Sequence, residues 1–97
     1  SRGAGLELLL GELDECVPDR RGPEQAAEEQ VIAESIGAFL RTQSADNRYI
    51  FLRRYWYGED IAAIAKGLGC GESRMKSALF RTRKALRVFL EEEGITV

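Results

Sequence analysis

The stretch DIAAIAKGLGCGESRMKSALFRTRKALRVFL, residues 60–90, sets a short apolar segment against a long basic one across Gly69-Cys70-Gly71. Ile61, Ile64, Ala65 and Leu68 recur at the three-and-four spacing of one helical face, with Asp60 at the N-cap position. Gly69 ends that helix, because a glycine just past the last periodic apolar residue can take the left-handed conformation that a helix C-terminus commonly needs. From Glu72 onward, Met75, Leu79, Leu86, Phe89 and Leu90 form a second apolar stripe, while Arg74, Lys76, Arg81, Arg83, Lys84 and Arg87 largely occupy the other faces. One side packs and the other is cationic. Two helices joined by a short glycine-bearing turn make a helix-turn-helix, whose second helix can lie in the DNA major groove.

The rest of the chain reads as support for this pair. Ser44 caps a helix predicted from Ala45 to about Tyr57, which turns Phe51, Leu52, Tyr55 and Trp56 inward and keeps Arg48, Arg53 and Arg54 on or near its exposed side. An earlier helix opens at Pro23, whose missing amide hydrogen costs nothing at a first helical position. Glu24, Glu28 and Glu29 favour the positive end of its dipole, and Ala27, Ile32, Ile36, Phe39 and Leu40 line its buried side. The last helix, residues 72–93, would span about 33 Å at the usual rise per residue, so its first turns can enter DNA while later turns pack. Gly94 closes it, with Ile95 placed for an apolar contact, and Glu91, Glu92 and Glu93 read as a solvated end. In residues 1–22 the leucines of Leu6-Glu7-Leu8-Leu9-Leu10 fit a short helix or an extended segment equally badly, and this region reads as a tail whose leucines cover a spare apolar groove. The predicted fold is all-α: a small four-helix domain over residues 23–97, containing a helix-turn-helix with a long C-terminal recognition helix.

Ninety-seven residues bound a single small domain, and the net charge of −2 hides a strong asymmetry. Residues 1–40 hold three basic and nine acidic side chains, residues 41–90 eleven basic and four acidic, and the last seven add three acids. The basic region is the one carrying the helix-turn-helix, and the local face sets the electrostatic footprint. Histidine is absent, and Cys16 and Cys70 are isolated, so a zinc site lacks ligands and both cysteines read as free thiols, Cys70 as a small buried residue of the turn. No phosphate-binding G-x-x-x-x-G-K loop is present and the carboxylates are scattered, so no catalytic residue, cofactor or small-molecule substrate is expected. No apolar run of about eighteen residues and no signal-like start exist; no membrane association is expected and a cytoplasmic origin is the default. Tyr55, Trp56 and Tyr57 read as core and rim of a helical domain rather than base-stacking residues.

The run Ile64-Ala65-Lys66-Gly67-Leu68-Gly69, followed by Met75-Lys76-Ser77-Ala78-Leu79-Phe80-Arg81-Thr82-Arg83-Lys84-Ala85-Leu86, resembles the C-terminal (region four) promoter-binding domain of bacterial RNA polymerase sigma factors, extracytoplasmic-function-like. Arg48-Tyr49-Ile50-Phe51-Leu52-Arg53-Arg54-Tyr55 is similar to that family's preceding helix, and the likeness covers roughly residues 32–90. Gly71 departs from the family's usual serine N-cap, Ser44 from a frequent proline, and Gly67 from a larger apolar residue. The resemblance implies recognition of the upstream (minus thirty-five) promoter element and docking on the flap of the polymerase beta subunit, with an anti-sigma factor as a further conceivable partner. Carried over residue by residue, it puts base readout on Glu72, Ser73, Arg74, Lys76, Ser77 and Arg81, and phosphate contacts on Arg48, Arg53 and Lys66. Leu52, Trp56 and Ile64 become walls of a polymerase-binding groove, and residues 1–22 a piece of the tether to a preceding domain, the chain being a fragment of a longer factor. The alternatives are the helix-turn-helix output domain of another regulator, with a similar I-A-x-x-L core, and a protein-only module whose basic face meets an acidic partner. The R-x-R after Leu79 and the helix R-x-I-F-L-R-R-Y favour sigma.

Overall fold

The computed structural model describes residues 2–14 and 29–95. Within them the chain is all-helical, as expected, in the order α1 (Arg2–Asp14), α2 (Glu29–Leu40), α3 (Ala45–Tyr55), α4 (Ile61–Leu68) and α5 (Glu72–Glu92). Four of these correspond to the predicted helices. The helix start at Pro23 and its acidic first turn, together with Cys16, lie outside the described residues.

Helix α5 is the axis on which the others pack, with Leu79, Leu86 and Leu90 wholly buried along one side. Helix α2 lies against it through Phe39, whose ring meets that of Phe89 at 5.6 Å in a tilted arrangement. Helix α3 adds Phe51 and Tyr55 and touches both α4 and α5. From α4, Ile64 and Ala65 enter the same core.

Capping follows the sequence closely. The Ser44 hydroxyl accepts the Asn47 amide at 3.1 Å, satisfying one of the amides that a helix start leaves without a partner. Asp60 occupies the N-cap of α4 in extended conformation, although its side chain makes no capping bond. At the far end of α5, Gly94 (φ 78°) donates to Glu91 O at 3.0 Å and Ile95 to Leu90 O at 2.9 Å, the paired bonds of a Schellman closure, with Ile95 packed on the core.

The amino-terminal leucines settle the ambiguity of the sequence in favour of a helix. α1 packs on α3 and α5, and Leu9 and Leu13 are completely buried. This is a fifth helix beyond the four expected, integrated into the core. Its periodicity is poor because Gly3, Gly5 and Gly11 interrupt the apolar pattern, and Gly5 is there for proximity: a Cβ at that position would collide with the backbone carbonyl of Tyr55.

Three further expectations change. Trp56 follows the last residue of α3 and is 49 % exposed, so the buried face of that helix narrows to Phe51 and Tyr55 with Leu52 half-buried. Leu68, the last residue of α4, is 46 % exposed at the corner rather than part of the core. Cys70, a free thiol, is half-buried rather than buried. Among the described residues no helix is long and apolar enough to cross a membrane.

Candidate nucleic-acid interface

The corner between α4 and α5 is built from the main chain. Gly69 sits at φ 71°, its amide donating to Lys66 O at 3.2 Å while the Cys70 amide donates to Ala65 O at 3.0 Å. That bond pair closes α4 and turns the chain without help from side chains. Gly71 follows in extended conformation (φ −82°, ψ 157°) and begins α5, accepting the Met75 amide at 3.1 Å. Because Gly71 supplies no capping oxygen, the first amides of α5 have no side-chain acceptor there. Met75 and Leu79 are buried beneath, which fixes the rotation of α5 about its own axis.

That rotation turns Glu72, Ser73, Arg74, Lys76, Ser77 and Arg81 outward, every one of them exposed. The structure therefore brings all six sequence-derived base-readout candidates to the free surface of the first three turns of α5. Lys66 is exposed on the last turn of α4. Among the described residues, Arg74, Lys76, Arg81 and Lys66 have no carboxylate within ion-pair distance.

The supporting helix treats its cations differently. Arg48 is half-buried, and its Nη1 donates to Leu40 O and Gln43 O, both at 3.2 Å, so it ties down the carbonyl end of α2. Arg53 pairs with Glu59 and lies over the rings of Tyr57, at 4.9 Å, and Tyr49, at 5.7 Å. The Glu59 carboxylate holds the Arg53 pKa above its ordinary value. Arg54 donates to Glu59 O at 3.0 Å. Both phosphate candidates on α3 thus carry an intramolecular role, which sets them apart from Lys66.

The polymerase-facing candidates separate as well. Ile64 is 3 % exposed and lies in the core, so it cannot wall an external groove. Leu52 is half-buried and Trp56 exposed, and Trp56 is followed by the still more exposed Tyr57.

Two features escaped the sequence. Phe80, though apolar, is exposed on α5, with the Arg83 guanidinium 5.7 Å and the Lys84 ammonium 5.6 Å from its ring centre. Its helical offset of three from Ser77 and four from Lys76 was the available signal. The other is a polar cluster where α1 meets α3 and α5. Tyr55 donates its hydroxyl hydrogen to Glu12 Oε1, Arg83 Nη1 lies 3.4 Å from the same oxygen and donates to Tyr55 Oη at 3.2 Å, and Arg54 Nη2 lies 3.5 Å from Glu12 Oε2. Burial, reinforced by the Glu12 carboxylate, pushes the Tyr55 phenol well above its usual value.

Comparison with known proteins gives the arrangement its relatives. Residues 34–86, more than half of the chain, match the family described as sigma-70, region 4. The chain is 31 % identical over 99 aligned positions to the ECF RNA polymerase sigma factor SigL of Mycobacterium tuberculosis, in strains H37Rv and CDC 1551 alike. The alignment takes in 98 % of this chain and 54 % of the relative, so the chain spans about half the length of the curated proteins it matches. No solved structure matches it significantly. A helix-turn-helix with an outward basic face, over a stretch matching one family from α2 well into α5, places this chain in the sigma-70 region 4 family.

Proposed function

We propose that the domain reads the upstream (minus thirty-five) element of a promoter and docks on RNA polymerase, directing transcription initiation as the C-terminal part of a sigma factor. The observation carrying this reading is the division of the cations: those on α3 are bound up in the fold, whereas Arg74, Lys76 and Arg81 on α5 and Lys66 on α4 face outward together. An arginine held outward on the first turns of a recognition helix can grip guanine O6 and N7 through two parallel hydrogen bonds, and serine and glutamate beside it accept from or donate to neighbouring base edges according to their chemistry. Lys66, on the preceding helix, reaches the backbone instead. Phe80 adds an apolar surface suited to a thymine methyl group. Docking on the polymerase flap falls to Leu52 and Trp56, and an anti-sigma factor would compete for the same faces. The role is one of recognition, without catalysis, and belongs in the cytoplasm where promoter DNA lies.

Selection of duplexes from a random pool, followed by competition against single-base changes in the preferred site, tests the reading. Arg74→Ala should flatten the preference at one or two base pairs, a discrimination of about 1–3 kcal/mol per lost bidentate contact. If the variant keeps the wild-type ranking and only binds every duplex more weakly, Arg74 is a phosphate clamp. If the wild-type chain shows no salt-dependent duplex binding, the DNA reading itself falls and the basic face serves a protein partner.

A further inference from the structure

Helix α1 lies outside the matched residues 34–86, yet it is packed into the domain and reaches the recognition helix. Its own sequence is a weak helix former, with three glycines in 13 residues and no acidic side chain in the first turn or basic one in the last. Its helical state therefore depends on docking. The docked surface has two parts: Leu9 and Leu13 supply the apolar contact, and Glu12 brings a carboxylate to Arg83 of α5 and Arg54 of α3, bridged by the Tyr55 hydroxyl. Arg83 is also the residue whose guanidinium overlies Phe80, so the cluster adjoins the outward face of α5 directly.

We propose that docked α1 is an electrostatic brake on the DNA-facing side: Glu12 neutralises Arg83 and Arg54 within the fold, and departure of α1 adds their charge to the field that meets phosphate. This rests on the DNA reading above and adds regulation to it. The segment that precedes the family domain then sets how tightly the domain holds any duplex, while the base-reading side chains, which are exposed and are not among the Glu12 partners Arg83, Arg54 and Tyr55, keep their preferences. Whatever draws α1 away, including the placement of the preceding part of a longer chain, tightens binding without changing its sequence preference.

The experiment measures duplex affinity against salt for the full chain and two variants. Glu12→Gln keeps the size of the side chain and an acceptor for Tyr55 but removes the charge. It should bind duplex several-fold more tightly at low salt, with a log-log salt slope steeper by up to about one unit and an unchanged ranking of base substitutions. In Gly5→Ala the new Cβ would strike the Tyr55 carbonyl, a main-chain group that cannot swing aside as a flexible side chain would, so α1 is forced off. Its affinity should rise at least as far as that of Glu12→Gln. Its Tyr55 should also ionise at lower pH than in the parent, since burial and Glu12 hold that phenol up. Should Gly5→Ala fail to fold, as judged by loss of cooperative melting, Glu12→Gln alone decides. A folded Glu12→Gln with wild-type affinity and slope, beside a parent that does bind duplex in a salt-dependent way, overturns the brake while leaving the DNA reading intact. A parent that does not bind duplex overturns both.

Discussion

Replacing Arg48 with alanine separates a structural cation from a phosphate clamp. One guanidinium nitrogen serves both Leu40 O and Gln43 O at 3.2 Å, at the long end of the hydrogen-bond range, and the side chain is half-buried. Because the two bonds share a donor and are long, their joint contribution belongs near the lower end of charged hydrogen bonds, about 1.5 kcal/mol. A cation at a helix C-terminus adds about 0.3–1 kcal/mol through the dipole of α2. The sum, about 2 kcal/mol, corresponds at about 4–8 °C per kcal/mol in a domain of this size to a Tm lowered by roughly 10 °C. Thermal and urea unfolding of the full chain measure this, and duplex affinity against salt is then recorded at a temperature where parent and variant are both folded. The expected result is a lower Tm with an unchanged salt slope. A variant that melts with the parent yet loses about one unit of slope would refute the assignment and restore Arg48 to the phosphate contacts.

Leu79→Ala should cost about 2–5 kcal/mol, a large part of the stability of a small domain, because Leu79 is 1 % exposed beneath the corner; a denaturation midpoint close to the parent's would mean that the rotation of α5 is wrong. Tyr55 has a raised pKa when folded, so its contribution is fully present below the unfolded tyrosine value near 10 and is lost as pH climbs from there toward the folded value, at about 1.4 kcal/mol per pH unit. Tyr55→Phe should therefore be less sensitive than the parent to alkaline unfolding above about pH 10, and parallel curves for the two proteins would contradict the buried phenol. Gly69→Ala places a Cβ at φ 71° and should destabilise by about 1–2 kcal/mol, measurable by urea titration, whereas an unchanged midpoint would show that the corner relaxes to another conformation.

Local rules recovered much of this architecture. Ser44, Gly69 and Gly94 each act at the position their chemistry suggests, because caps and closures are decided by a few neighbouring residues. The phase of α5 was equally legible, since Met75, Leu79, Leu86 and Leu90 recur over about four turns and leave little choice of face. What depended on distant partners was not. The fates of Arg48, Arg53 and Arg83 are set by carbonyls and carboxylates brought near by folding, and a guanidinium aimed at Leu40 O has the same sequence signature as one aimed at phosphate. Helix α1 was obscured for a related reason: its glycine at position 5 weakens the local helical signal in order to admit close packing that only the tertiary structure reveals. Ile64 shows the converse error, a core residue mistaken for a groove wall because both are apolar in sequence.

The main-chain construction of the α4–α5 corner has a consequence for how such a domain diversifies. The angle between the helices is held by the bonds of Gly69 and Cys70 and by Met75 and Leu79 below, while Ser73, Arg74, Lys76 and Ser77 carry none of that mechanical duty. Exchanges among exposed positions of this kind usually shift stability by less than about 0.5 kcal/mol. The vocabulary of the outward face can therefore drift, or be rewritten by design, over a frame that stays still. On the DNA reading proposed above, new target sequences become reachable by single substitutions that are almost blind to whether the protein folds.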